Sequence, residues 1–183
     1  MNAYDFDKTI FRGDSSARFY VYCLVRTPKM LRRLPRLLWE AATLLKRDKQ
    51  RFKQNTFGFL NDLKAPETMV EAFWDKNIGR IKDFYPAQKR PDDIIISASP
   101  EFLIKPVMAR LGINNVLASP VDIHTGSYSG NNCHGEEKVR RLYASFPGAV
   151  IDEFYSDSHS DDPMARIAKR AVIVRGERLG EWK

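Results

Sequence analysis

Asp5-Phe6-Asp7-Lys8-Thr9 sets two carboxylates two residues apart, directly after a short apolar segment. In a continuing strand the two would face opposite ways. A chain that leaves its strand at this point can bring both to one site, one as nucleophile or metal ligand and the other as acid/base. Taken alone, the pentapeptide reads equally well as an exposed acidic turn. Ile94-Ile95-Ile96 runs into Ser97-Ala98-Ser99 ahead of Pro100, which offers a hydroxyl and free backbone N–H groups to an anion. The everyday use of a serine there is a turn or a helix cap. Lys138 stands in the first turn of an amphipathic segment, where the helix dipole disfavours a cation. That hints at a task beyond a solvated surface lysine. Asp157, Asp161 and Asp162 crowd three carboxylates into six residues, a repulsion that a hard cation such as Mg²⁺ offsets. The alternative is an Asx-rich turn capping the next helix, and Asp161 can do both.

The elements that must position these residues alternate in type. Short apolar runs predict strands over 93–97, 115–119, 149–155 and 171–174, and amphipathic patterns predict helices over 101–111, 136–146 and 161–169. This is the grammar of an α/β fold with a parallel sheet flanked by helices. Gly112 reads as a helix stop, and Thr125-Gly126 with Ser129-Gly130 as turns of a small antiparallel excursion. Residues 13–88 read differently. Leu31, Leu34, Leu37, Leu38, Ala41, Leu44 and Leu45 recur at three- and four-residue intervals, and Pro66 opens a helix with Met69, Val70, Phe73, Trp74, Ile78 and Ile81 on one face. The expectation is an all-helical insertion over 13–88 in a core formed by 1–12 and 89–183, with Trp39 and Trp74 in the insertion's core.

The whole chain has 183 residues, 43% hydrophobic and 29% charged, with a net charge of +7. That composition is ordinary for a globular protein and excludes collagen-like or disordered chains. Cys23 and Cys133 stand far apart without a CxxC pattern, so neither a disulfide framework nor a cysteine zinc site is expected. No basic and then apolar leader precedes Asp5, and the apolar stretch from Leu34 to Leu45 is interrupted and too short to span a bilayer. A cytoplasmic location is the expectation.

Four chemistry-bearing segments in one order, at four strand ends, resemble the haloacid dehalogenase superfamily of phosphohydrolases, in the branch similar to phosphoserine phosphatase. Asp5-Phe6-Asp7-Lys8-Thr9 matches its first motif, Ser97 its second, Lys138 its third, and Asp157 with Asp161 its fourth. The resemblance implies a Rossmann-like core with a helical cap inserted after the first motif. It implies that Asp5 forms an aspartyl-phosphate while Asp7 protonates the leaving alcohol and later activates water. Ser97, Lys138 and backbone N–H groups, with Ala98 among them, would bind the phosphoryl oxygens. Mg²⁺ would be held by Asp5, the Asp7 carbonyl and Asp157, with Asp161 orienting its waters. A dehalogenase of the same superfamily would lack Asp7.

By the same resemblance Asp14 lies where an acidic group approaches the substrate, although the usual residue there is glutamate. A cap arginine for a substrate carboxylate has no clear counterpart; Arg47, Arg51 and Lys53 are candidates. Substrates are expected to be small phosphorylated metabolites or phospholipid head groups. Between Arg18 and Lys53 eleven basic residues face two acidic ones, a local balance of +9. A solvated basic face, an electrostatic funnel for anionic substrates, and contact of Arg32, Arg33 and Arg36 with anionic lipid are the three readings. No nucleic-acid module is recognisable. The non-enzymatic alternative is a phosphate-sensing or partner-binding module, and intact Asp5 and Asp7 speak against it.

Overall fold

The computed structural model describes residues 1–33, 35, 39 and 56–183. Its centre is a six-stranded sheet in the order β3-β2-β1-β4-β5-β6, comprising β1 (Ala3–Tyr4), β2 (Ile94–Pro100), β3 (Asn115–Ser119), β4 (Ile151–Ser156), β5 (Ala168–Arg175) and β6 (Arg178–Glu181). The first five strands pair in parallel, and β6 returns antiparallel to β5. The helices are α1 (Ser15–Arg26), α2 (Pro66–Asn77), α3 (Phe84–Gln88), α4 (Glu101–Arg110), α5 (Glu136–Ser145) and α6 (Asp162–Ile167), with 3₁₀ turns at Pro28–Arg33, Gly58–Asp62, Ile78–Arg80 and His159–Asp161.

The sheet is covered on both faces, which is why β2 is apolar at consecutive positions. Side-chain alternation divides them: Tyr4 and Ile95 join the larger hydrophobic cluster, while Ala3, Ile94 and Ile96 join the smaller one. The larger cluster draws in α1, α2 and α4, and the smaller takes α5 and α6. From β1 the chain crosses to β2 and then β3 on one side, and from β3 it crosses back to β4 on the other side of β1. The carboxyl end of β1 is therefore the switch point where open α/β sheets bind ligands.

The inserted segment leaves and returns side by side. Phe11 bridges antiparallel to Ile81, Arg12 N–H donates to Arg80 O at 2.9 Å, and Lys82 N–H donates to Ile10 O at 2.8 Å. All described elements between them are helical. Pro66 starts α2 as anticipated; Trp74, fully buried, gives its indole N–H to Leu103 O at 2.7 Å and so ties the insertion to α4. Trp39 departs from the expectation: it is 67% exposed and lies outside the core. The leucine periodicity over Leu34–Leu45, together with Arg36, Arg47, Arg51 and Lys53, falls outside the described residues. Arg33 ion-pairs with Asp62. No helix among the described residues is long and apolar enough to cross a membrane.

Two boundaries differ from the sequence reading. The helix expected over 161–169 ends at Ile167, because Ala168 and Arg170 pair with Ile151 and Glu153 of β4 and extend β5 by one turn's worth of chain. The edge strand β6 was not anticipated; its residues are all exposed and carry no apolar alternation. Gly112 (φ +76°) ends α4 as expected. Gly126 (φ +72°) closes the excursion against Phe57, whose carbonyl oxygen would lie 2.1 Å from any added Cβ.

Candidate active site

Strand β1 ends at Tyr4, and the chain turns at once. Asp5 N–H still reaches Tyr155 O at 2.8 Å, but Lys8 adopts a left-handed φ of +59° and its N–H closes on Gly13 O at 3.0 Å. This turn gathers Asp5 and Asp7 into one cavity of about 540 Å³, which Ser97, Ala98, Lys138, Asp157 and Asp161 also line. Every core residue expected from the motifs therefore converges at one edge of the sheet. The far wall comes from the insertion, through Asp14, Tyr20, Val21, Phe57 and Phe59.

Lys138 is the electrostatic centre. Its side chain is 2% exposed, and Nζ donates to Asp5 Oδ1 and to Asp161 Oδ2, both at 2.7 Å. Burial alone would lower this ammonium, but the two carboxylates outweigh it and hold the group above the ordinary lysine value. Burial pushes the Asp5 carboxyl up to about 6 against the pull of Lys138. Thr9 supports both walls, its hydroxyl donating to Asp5 Oδ2 at 3.3 Å and accepting Asp157 N–H at 2.9 Å. Asp161 Oδ2 takes a second hydrogen bond from Ser156 at 2.8 Å, whereas Asp161 Oδ1 is buried without a partner.

Asp7 is held apart from this pair. Ser15 N–H, at the first residue of α1, donates to Asp7 Oδ1 at 2.6 Å, and the Ser99 hydroxyl donates to Oδ2. Burial, reinforced by Asp14, pushes the Asp7 carboxyl up to about 7, with Ser99 and Ser15 pulling the other way. A carboxyl poised near neutrality can both give and take a proton. Sequence reasoning missed Ser99. The signal was the hydroxyl two residues beyond Ser97, whose own Oγ accepts Ser99 N–H at 3.1 Å and keeps its proton to give. Ser99→Ala removes one of two hydrogen bonds orienting Asp7, so kcat is expected to fall roughly 10- to 100-fold with KM little changed; steady-state kinetics on an aryl phosphate check it.

Asp14 lines the cavity, and its Oδ1 also accepts Ala17 N–H at 2.8 Å as the N-cap of α1. His134 lines the cavity as well, whereas His159 faces outward against Asp162 and Trp182. Cys23 and Cys133 are buried free thiols.

Helix α5 presents Lys138 because its outer side is anchored. Glu137 binds Arg140 and Arg141, and Arg141 continues to Ala118 O and Asn131 O, each at 2.7 Å. Hydrogen bonding from Arg140, then Arg141, holds the Glu137 carboxyl down at about 2. A depressed folded value contributes stability that is present above the ordinary glutamate range and is lost as pH falls toward 2. Denaturant melts of the wild type and Glu137→Gln should therefore differ at pH 7 and converge toward pH 2.5. An undiminished difference in acid would contradict the linkage.

Acidic groups and a buried lysine gathered at the switch point of a parallel sheet make an acid-rich cavity on a doubly wound α/β scaffold. The chain belongs to the haloacid dehalogenase-like hydrolase family, whose profile matches residues 3–166. Histidinol-phosphatase of Neisseria meningitidis serogroup C (strain 8013) is 30% identical over 95 residues, covering 45% of this chain and 43% of that protein. A probable phosphatase of Mycobacterium tuberculosis (strain H37Rv) is 33% identical over 95 residues, covering 48% and 33%. The chain spans less than half the length of these curated relatives. Among solved structures, a protein of unknown function from Bordetella pertussis Tohama I superposes with a TM-score of 0.73 at 19% identity over 94% of this chain and 88% of that one. A probable phosphoserine phosphatase from Vibrio cholerae gives 0.65 at 12% identity over 93% and 55%. At these identities the structural likeness concerns the fold.

Proposed function

We propose that the protein is a Mg²⁺-dependent phosphomonoester hydrolase that acts through an aspartyl-phosphate on Asp5. The observation that carries this reading is the buried Asp5–Lys138–Asp161 chain beside a separately held Asp7 of raised pKa. The first group is arranged as an anionic nucleophile kept in place by a cation, the second as a proton carrier. Asp5 attacks phosphorus; Asp7 gives its proton to the departing alcohol, then takes one from the water that releases phosphate. Lys138, the Ser97 hydroxyl and the Ala98 backbone N–H face the phosphoryl oxygens, where added negative charge is best stabilised by donors already in position.

The donor set suits Mg²⁺. It consists of hard oxygens from Asp5, the Asp7 carbonyl and Asp157, which would hold the ion, and the buried, unpartnered Asp161 Oδ1 would be left to orient its waters. Among the described residues no three Asp, Glu, His or Cys side chains are grouped closely enough to hold a metal ion by themselves. When bound, the ion supplies positive charge that lets an anionic nucleophile approach an anionic ester.

The inserted helices, residues 13–88, act as the cap over this edge. Among the described residues they contribute the Asp14 carboxylate, Ser16, Ala17 and Thr56, and a wall of Tyr20, Val21, Phe57 and Phe59, which suits a small phosphorylated molecule with an apolar portion. Hydrolysis of an aryl phosphate tests the reading. Turnover should require Mg²⁺, vanish with EDTA, return on readdition and fail with Ca²⁺ in its place. Full activity in EDTA would refute the metal role.

A further inference from the structure

A second cavity, of about 620 Å³, adjoins the catalytic one and shares Lys8 and Asp157 with it. Among the described residues its wall carries six cations, Lys8, Arg12, Arg18, Arg80, Lys82 and Arg175, against two carboxylates, Asp157 and Glu177. Three of the cations are already engaged. Arg12 pairs with Glu177 at 2.9 Å and Asp83 at 3.2 Å, and Arg80 Nε donates to Arg12 O at 3.2 Å. Lys82 Nζ donates to the carbonyls of Lys8 and, at 2.6 Å, Gly176. Among the described residues Lys8, Arg18 and Arg175 have no side-chain hydrogen-bond or ion-pair partner.

Lys82 is the telling member. It is only 2% exposed, yet its hydrogen-bond partners are two neutral carbonyls, and one of its three N–H donors is left over. A buried charge without a contacting counter-charge is costly. Glu177, the obvious relief, is taken by Arg12. An anion in the cavity would supply what the protein does not.

We propose that this cavity is a second anion-binding site, built for a compact oxyanion of several charges, such as inorganic pyrophosphate, and adjoining the catalytic cavity without using Lys138. The wall holds one apolar side chain, Val174, and no aromatic ring, so it has no platform on which a base or ring would stack. Its cations belong to four segments: the loop after β1 (Lys8), the two stretches of chain where the insertion leaves and returns (Arg12, Arg80 and Lys82), α1 (Arg18) and the end of β5 (Arg175). A multiply charged anion can bridge several of them at once, whereas a monoanion cannot.

The proposal goes beyond the phosphatase reading and does not rest on it, because the test reads binding. Pyrophosphate is titrated calorimetrically into the wild-type chain in EDTA. Saturable binding to one site is expected, weakening as salt rises. Arg18→Gln/Arg175→Gln, with an unchanged thermal melt, should weaken it at least tenfold while leaving kcat for an aryl phosphate with Mg²⁺ within about twofold of wild type. Lys138→Met removes the buried cation of the catalytic cavity and, measured where its circular dichroism still matches the wild type, should leave pyrophosphate binding intact. Non-saturable binding, an unaffected double variant, or loss of binding in folded Lys138→Met would each overturn the proposal.

Discussion

Asp5→Asn is expected to abolish phosphomonoester hydrolysis, lowering kcat by at least about 10⁴-fold, the scale on which removing a nucleophile acts. The amide nitrogen and oxygen have the carboxylate's shape but neither attacks phosphorus. The fold should persist, since the amide oxygen can still accept from Lys138 Nζ and the sheet contacts of Tyr4 and Phe6 are untouched. The measurement is turnover of an aryl phosphate by a variant whose circular dichroism and melt match the wild type. Undiminished turnover by that folded variant contradicts the assignment of Asp5.

Lys138→Met has a double effect. Its ammonium neutralises two carboxylates that are themselves nearly inaccessible, Asp5 and Asp161, with side-chain exposures of 12% and 4%. Removing the cation leaves two like charges buried without compensation, and breaking a buried pair in this way typically costs about 3–5 kcal/mol. Methionine keeps the volume, so the loss is electrostatic and not a cavity effect. Activity should fall with stability, by roughly 10³-fold, because the phosphoryl oxygens also lose a fixed cation. Urea melts at neutral pH measure the first effect and aryl phosphate kinetics the second. A variant as stable as the wild type would show that Lys138 is not the counter-ion of this site.

The strand-end chemistry of Asp5, Ser97 and Asp157 was legible in the sequence because each follows an apolar run whose direction is fixed by a parallel sheet. Lys138 follows no such run; it opens α5, and only the resemblance pointed to its place on the same edge. What lies between those ends was less visible. Ala168 to Arg170 consists of helix formers following Met164 and Ile167, so local pattern favoured helix; pairing with β4 prevailed, as tertiary contacts commonly do over propensity. The edge strand β6 has no buried face and therefore no alternation to detect. Ser99 and Lys82 act through partners more than seventy residues away in the chain, a relation that spacing does not encode. Trp39 read as core from its residue type, although its exposure shows that a large aromatic ring need not be buried. Asp14 illustrates a residue with two uses, since the N-cap bond of α1 and the cavity wall both depend on it.

The claim that catalysis proceeds through a covalent bond to Asp5 is open to one direct measurement. In an Asp7→Asn variant the proton carrier is lost, yet an aryl phosphate whose leaving group departs as an anion needs no proton for the first step. The phosphoryl group should therefore transfer to Asp5 and wait there, because no base activates the second step's water. Acid quenching during turnover, followed by intact mass and peptide mapping, should find one phosphoryl group, sensitive to hydroxylamine, on the peptide containing Asp5. Continued release of phosphate with no adduct, or an adduct on any other side chain, would contradict the account.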